Sequence, residues 1–195
     1  MVMTKDVLFS LTKGGYAPQE EMLEVARKKG KLYIGIPKEM AFQENRVPLV
    51  PDAVALLVNN GHKIVVEAGA GSAAHFEDTD YSEAGAEIVY STDEVYKADI
   101  ILKIAPPTLD EIESMKAKQT LFSALQLTVQ PEDFLKKLVA KKLNCVAFDL
   151  ITDDAGIFPV IRAMGEIAGG TSILVAAELL SNANGGVGSI LGGIS

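Results

Sequence analysis

Between Leu32 and Ile151 the chain alternates between two kinds of segment: short apolar runs, and stretches whose apolar residues fall at helical spacing. The order is the strand "KLYIGI", the helix "PDAVALLVNNG" and the strand "HKIVVEAG", followed by "YSEAGA", "EIVYS", "TDEVYKA", "DIILKIAPP", "LDEIESMKAK", "QTLFSALQL", "PEDFLKKLVAKK" and "NCVAFDLI". A helix placed between two strands carries the chain back to the end where it began, so the strands it joins lie parallel. The strand runs are apolar on both sides, as expected of strands buried on both faces. The expected fold class is therefore α/β, a parallel sheet with helices on both faces. Ligands of such sheets gather beyond the carboxyl ends of the strands. The residues just past "YIGI", "ILKI", "LFSAL" and "VAFD" are the ones to inspect.

Two segments flank this region. Residues 1–31 form an amino-terminal arm and a short amphipathic helix, "PQEEMLEVARKKG" from Pro18 to the glycine stop at Gly30. The α/β domain occupies 32–158, and 159–195 begins as a long helix, "PVIRAMGEIAGGTSILVAAELLSN", which reads as a connector to a second domain or a subunit partner. Its Gly169-Gly170 pair weakens it by about 1 kcal/mol per glycine relative to alanine.

Composition narrows the function classes. A net charge of −8 speaks against a nucleic-acid partner, which needs a basic face. The "KKLVAKKL" lysines lie on a helical pattern and read as a solvated face. Cys145 is the one cysteine, so no internal disulfide can form; it reads as a small buried hydrophobe in a reduced, cytoplasmic setting. The amino terminus lacks a secretory pattern, and no apolar run approaches the roughly 18 residues of a membrane span, so a soluble protein is expected. Neither His62, at the start of a strand, nor His75, in an acidic loop, has a partner at metal-ligand spacing, and no metal is expected.

Four residues at strand ends carry chemistry. Arg46, in the loop "IPKEMAFQENRVPLVP" with Lys38, Glu39 and Glu44, can offer a planar fork to a carboxylate. Lys103 ends an otherwise apolar strand, where a lysine must find a partner or an opening, and an opening would suit it to polarise a carbonyl or shuttle a proton. Gln126 and Asp149 occupy the equivalent places on the next two strands. Their convergence outweighs each signal taken singly.

The words "IGIPKE", "ENRVPLVP", "LVNNGHKIVVEAGAG", "DTDYSEAGAEIV", "ADIILKIAPP" and "RAMGEIAGG" together resemble the amino-terminal region of the alanine dehydrogenase and pyridine nucleotide transhydrogenase family, over roughly Leu32 to Ser195. "MGEIAGG" is more similar to the alanine dehydrogenase branch. The resemblance implies a Rossmann-like or flavodoxin-like substrate domain at 32–158. It also implies an NAD-dependent conversion of alanine to pyruvate, a homo-oligomer, and a soluble transhydrogenase subunit with a membrane partner as the alternative. From the same resemblance, Arg46 clamps the substrate carboxylate, Lys103 binds the keto or imine group, Asp149 stands for a glutamate near the domain cleft, and Met164 and Gly165 approach the nicotinamide. Gln126 departs from the pattern, because the family word has a histidine there; an amide can hydrogen-bond a substrate oxygen but cannot exchange a proton near neutral pH. This leaves a third reading, a non-catalytic binding module.

The closing "GGVGSILGGIS" fails as a dinucleotide fingerprint. It supplies Gly186 and Gly188 but places Leu191 where a third glycine is needed, and no strand leads into it. It reads as the approach to a nucleotide-binding domain. Most cofactor contacts are then expected from outside this chain.

Overall fold

The computed structural model describes residues 30–192; the helix expected at Pro18–Gly30 and the last three residues lie outside them, apart from Gly30 itself. Six strands, β1 (Tyr33–Ile36), β2 (Lys63–Glu67), β3 (Glu87–Val89), β4 (Ile100–Leu102), β5 (Thr120–Ser123) and β6 (Asn144–Ala147), form one sheet in the order β3-β2-β1-β4-β5-β6. Every pair is parallel, and Ile34 of β1 lies between Ile64 of β2 and Ile100 of β4. Of the two doubly wound orders, this is the Rossmann one. The chain winds outward one way through β1, β2 and β3, then returns to lay β4 on the other side of β1. The carboxyl ends of β1 and β4 therefore flank the switch point, where ligands of such sheets bind.

Helices α1 (Pro51–Asn59) and α2 (Asp78–Glu83) cover one face, and α3 (Thr92–Val95), α4 (Leu109–Ser114) and α5 (Glu132–Lys141) cover the other. Proline at the first position fixes the start of α1, where its missing N–H removes nothing from the helix. A threonine–glutamate capping box, Thr108 with Glu111, starts α4. One core joins Ile36, Val54, Ile64, Val66 and Tyr81; the other joins Val65, Tyr96, Ile101, Ile112, Leu121 and Phe134. Phe122 and Val146 point to the first face but belong to neither core and stay partly exposed.

Strands end earlier than the apolar runs do. "DIILKIAPP" forms a strand only at Ile100–Leu102, "QTLFSALQL" only at Thr120–Ser123, and "NCVAFDLI" turns into a 3-10 turn at Phe148–Leu150. Side-chain carboxylates take the place of ladder partners beyond these points: Glu39 accepts the N–H of Ile104, and Asp149 those of Leu125 and Gln126. A backbone N–H needs an acceptor, and a neighbouring carboxylate serves as well as a strand.

Helix α6 (Pro159–Leu180) has no buried residue. By length and composition alone this 22-residue helix could cross a membrane, which corrects the expectation that nothing approaches that length. Glycine and alanine carry the helix past charges that break the uninterrupted apolar run, among them the paired Arg162 and Glu166.

Gly35 has no room for a side chain. A Cβ there would stand 2.7 Å from the Val95 carbonyl oxygen and 3.0 Å from the Ala98 Cβ. Gly35→Ala should therefore destabilise the domain by about 1–3 kcal/mol, seen as a lower Tm in thermal unfolding.

Candidate functional site

The carboxyl ends of β1, β4, β5 and β6, four neighbours in the sheet, carry Glu39 and Arg46, Lys103, Gln126 and Asp149 respectively. Contacts link them across the sheet. Ile104 next to Lys103 gives its N–H to Glu39 at 2.5 Å, and its carbonyl accepts from Ala124 at 3.2 Å. Ser123 Oγ donates to the Ala105 carbonyl at 2.8 Å, tying the β4 and β5 loops a second time.

Lys103 is the most enclosed charge of the described residues, with 1% of its side chain exposed. Its Nζ lies 2.8 Å from Glu111 Oε1 and 3.1 Å from Glu39 Oε2, themselves on side chains 12% and 4% exposed. The contact with Glu39 meets ion-pair distance without hydrogen-bond geometry, and leaves that oxygen without a hydrogen bond. Glu111 also accepts from the Tyr96 hydroxyl at 3.2 Å and, through Oε2, from the Thr108 N–H at 2.7 Å. Burial acts to raise the Glu111 carboxyl, but the Lys103 charge and the hydrogen bonds outweigh it and hold the group below the usual carboxylate range. Burial, with Glu111 beside it, pushes the Tyr96 hydroxyl strongly upward, so it stays a donor. The Lys103 ammonium is the buried centre of an ion triad that ties the β1 and β4 loops to α4.

Arg46 is exposed, and Glu44 grips it from two residues away. Nε donates to Oε1 at 2.7 Å and Nη2 to Oε2 at 2.6 Å. The Glu44 pairing holds the guanidinium above its ordinary range and lowers the Glu44 carboxyl. A guanidinium has five N–H donors. Glu44 engages one edge, so among the described residues the outer Nη1–Nη2 edge is left for a second carboxylate. The loop that carries Arg46 is fastened at both ends: Lys38 N–H donates to Glu67 at 2.8 Å, and the buried Tyr81 hydroxyl to the Leu49 carbonyl at 2.9 Å. Desolvation pushes the Tyr81 hydroxyl up to about 12.

Gln126 is exposed and sits at φ 48°, in the left-handed region. Among the described residues no hydrogen bond engages its side-chain amide, while Asp149 holds its backbone. Asp149, expected as a catalytic group, thus has both oxygens on main-chain donors of the neighbouring loop. Helix α6 packs against the Phe148–Leu150 turn that bears Asp149, and on it Met164 and Gly165 are exposed, with open space around Gly165. His62 proves structural: its Nδ1 accepts the Leu32 N–H at 3.2 Å. No cluster of metal-ligating side chains occurs among the described residues. Of two open clefts, one of about 600 Å³ lies between α1 and α2, and one of about 440 Å³ lies beside α5 and is lined by Leu125, Leu127 and Ala147, the chain neighbours of Gln126 and the end of β6. Sequence reasoning missed Glu111, although the Thr108–Glu111 spacing of a capping box marks it as fixed at a helix start.

The family model described as "Alanine dehydrogenase/PNT, N-terminal domain" matches residues 35–168. Alanine dehydrogenase of Staphylococcus epidermidis and alanine dehydrogenase 2 of Staphylococcus aureus are each 40% identical over 161 residues, which is 83% of this chain and 43% of theirs. The chain thus spans less than half the length of these relatives. An L-alanine dehydrogenase structure superposes with a TM-score of 0.78 at 34% identity, covering 83% of this chain and 44% of that one. A transhydrogenase from Sinorhizobium meliloti gives a TM-score of 0.57 at 28% identity, covering 60% and 35%.

Removing Glu111 leaves Lys103 with one imperfect partner in a buried site. Glu111→Gln should destabilise the domain by about 3–5 kcal/mol at neutral pH in urea unfolding. The folded-state carboxyl is depressed, so its contribution is complete above the unfolded-state value and is lost as pH falls through the folded one. The wild-type protein should lose stability steeply in acid, and the variant should lose less over the same range.

Proposed function

Because the chain belongs to the alanine dehydrogenase/PNT family, of which it carries the N-terminal domain, we propose that it is the substrate-binding part of an NAD-dependent alanine-dehydrogenase-like oxidoreductase. The proposed net reaction takes L-alanine, NAD⁺ and water to pyruvate, ammonium, NADH and a proton. The observation that carries the reading is Arg46. Its plane is set by Glu44, its outer edge is open, and it stands on the loop that leaves β1 at the switch point of the sheet. That edge takes the substrate carboxylate as a bidentate pair, which a lysine cannot do in the same geometry.

Gln126 donates its amide to the substrate carbonyl oxygen or accepts from the nitrogen that replaces it. It cannot exchange the proton, which passes to water or to a carboxylate from outside this chain. Lys103 acts from beneath, by fixing Glu39 and the β4 loop. When bound, the nicotinamide supplies the hydride acceptor. Met164 and Gly165, exposed on α6, are the residues assigned to the approach of such a ring on the family resemblance. They supply no phosphate cradle, and the glycine pattern after α6 does not match a dinucleotide fingerprint. Most cofactor contacts would come from a further domain. Ile167, Ile173, Leu174 and Leu179, exposed along α6, form an apolar surface that a second copy of the chain would cover, and a cytoplasmic homo-oligomer is part of the proposal.

The transhydrogenase reading has the Sinorhizobium meliloti match in its favour, at a lower TM-score. Assay of the full-length gene product for alanine-dependent NADH formation tests the choice. Activity is the expected outcome, and pyruvate binding without turnover would leave a non-catalytic module. The 195-residue chain alone should show no turnover. In the full-length protein Arg46→Lys should raise the KM for pyruvate roughly ten- to hundredfold, the loss of one charge-assisted hydrogen bond of about 1.5–3 kcal/mol.

A further inference from the structure

We propose that Asp149 is a positioning residue for Gln126, setting where the amide meets the substrate, and is not a proton carrier. This deepens the reading above and rests on it for the identity of what Gln126 touches. Asp149 Oδ1 accepts the Leu125 N–H at 3.2 Å and Oδ2 the Gln126 N–H at 3.1 Å. Two successive main-chain N–H groups converging on one anion form the concavity by which backbone holds carboxylates and phosphates. The neighbouring residues close the turn, with Val129 N–H on the Gln126 carbonyl at 3.0 Å and Gln130 Nε2 on the Leu125 carbonyl at 3.1 Å.

Gln126 is the residue that needs such help. Its φ of 48° brings Cβ against its own backbone, a conformation that glycine takes freely and asparagine readily, whereas glutamine has no short side-chain bond to favour it. The conformation is therefore maintained from outside the residue, by the carboxylate in the turn after the next strand. The direction of the Cα–Cβ bond follows from φ and ψ, so the same contact aims the amide. A proton placed on Asp149 would release one of the two N–H groups and undo that aim, which argues against proton transfer as its task.

The test uses the full-length gene product and the variants Asp149→Asn, Asp149→Ala, Gln126→Gly and the double variant Asp149→Ala/Gln126→Gly. Asp149→Asn keeps the shape but only one acceptor oxygen. It should raise the KM for pyruvate about tenfold, leave kcat near the wild-type value, and keep both limbs of the pH–rate profile. Asp149→Ala should lower Tm more when residue 126 is glutamine than when it is glycine, because glycine holds the left-handed conformation unaided. Loss of one limb of the pH profile, a collapse of kcat at unchanged KM, or additive Tm shifts would overturn the proposal. A wild-type protein without alanine-dependent NADH formation would sink the reading of the reaction instead, and the Tm cycle would still decide whether Asp149 holds residue 126.

Discussion

The ion triad of Lys103 with Glu39 and Glu111 is the contact on which the candidate site depends. It joins the end of β4 to the loop after β1 and to the first turn of α4 at the switch point of the sheet. Two carboxylates around one ammonium leave an excess negative charge in a buried place, and the hydrogen bonds from Ile104, Thr108 and Tyr96 spread it. Taking such charges out of water is expensive, and breaking a formed cluster is more so. The arrangement holds the geometry of the strand ends more than it adds to stability.

The same device recurs along that edge. Loops leaving β1, β2, β4 and β5 each give a backbone N–H to a carboxylate from a neighbouring segment: Lys38 to Glu67, Gly69 to Asp78, Ile104 to Glu39, and Leu125 and Gln126 to Asp149. Each bond satisfies a donor that the ladder no longer reaches. The strands stay short, and the loops that would meet a substrate are fixed in place. Part of the acidic balance of the chain is spent there. Glu44 extends the device to a side chain, by holding the plane of Arg46.

Much of this was legible in advance. The alternation of apolar runs with helical segments carries the parallel sheet, the element order and the edge on which to look, because period and chain reversal are local properties. Arg46, Gln126 and Asp149 were found by their place after apolar runs, and the structure sets them beyond the carboxyl ends of β1, β5 and β6, on one edge of the sheet. The partners of Lys103 were not legible: a lysine at the end of an apolar run reads the same whether it stays open or is closed over by Glu39 from the β1 loop and Glu111 from the following helix. Glu111 was hidden for a related reason, since a capping box explains it locally and says nothing of its second oxygen. The long helix from Pro159 was legible too, but not that it is apolar enough to cross a membrane, because charges interrupt the run without interrupting the helix.

The sequence by itself determined the fold class, the family and the residues that can do chemistry, since these rest on pattern, spacing and side-chain type along the chain. Only the tertiary structure decided which of those residues face outward. Ile104, next to Lys103, and Glu39 are 65 residues apart in the chain and meet only because β4 is laid beside β1. Burial and pairing at that junction depend on what the returning chain brings, and no local rule carries that information.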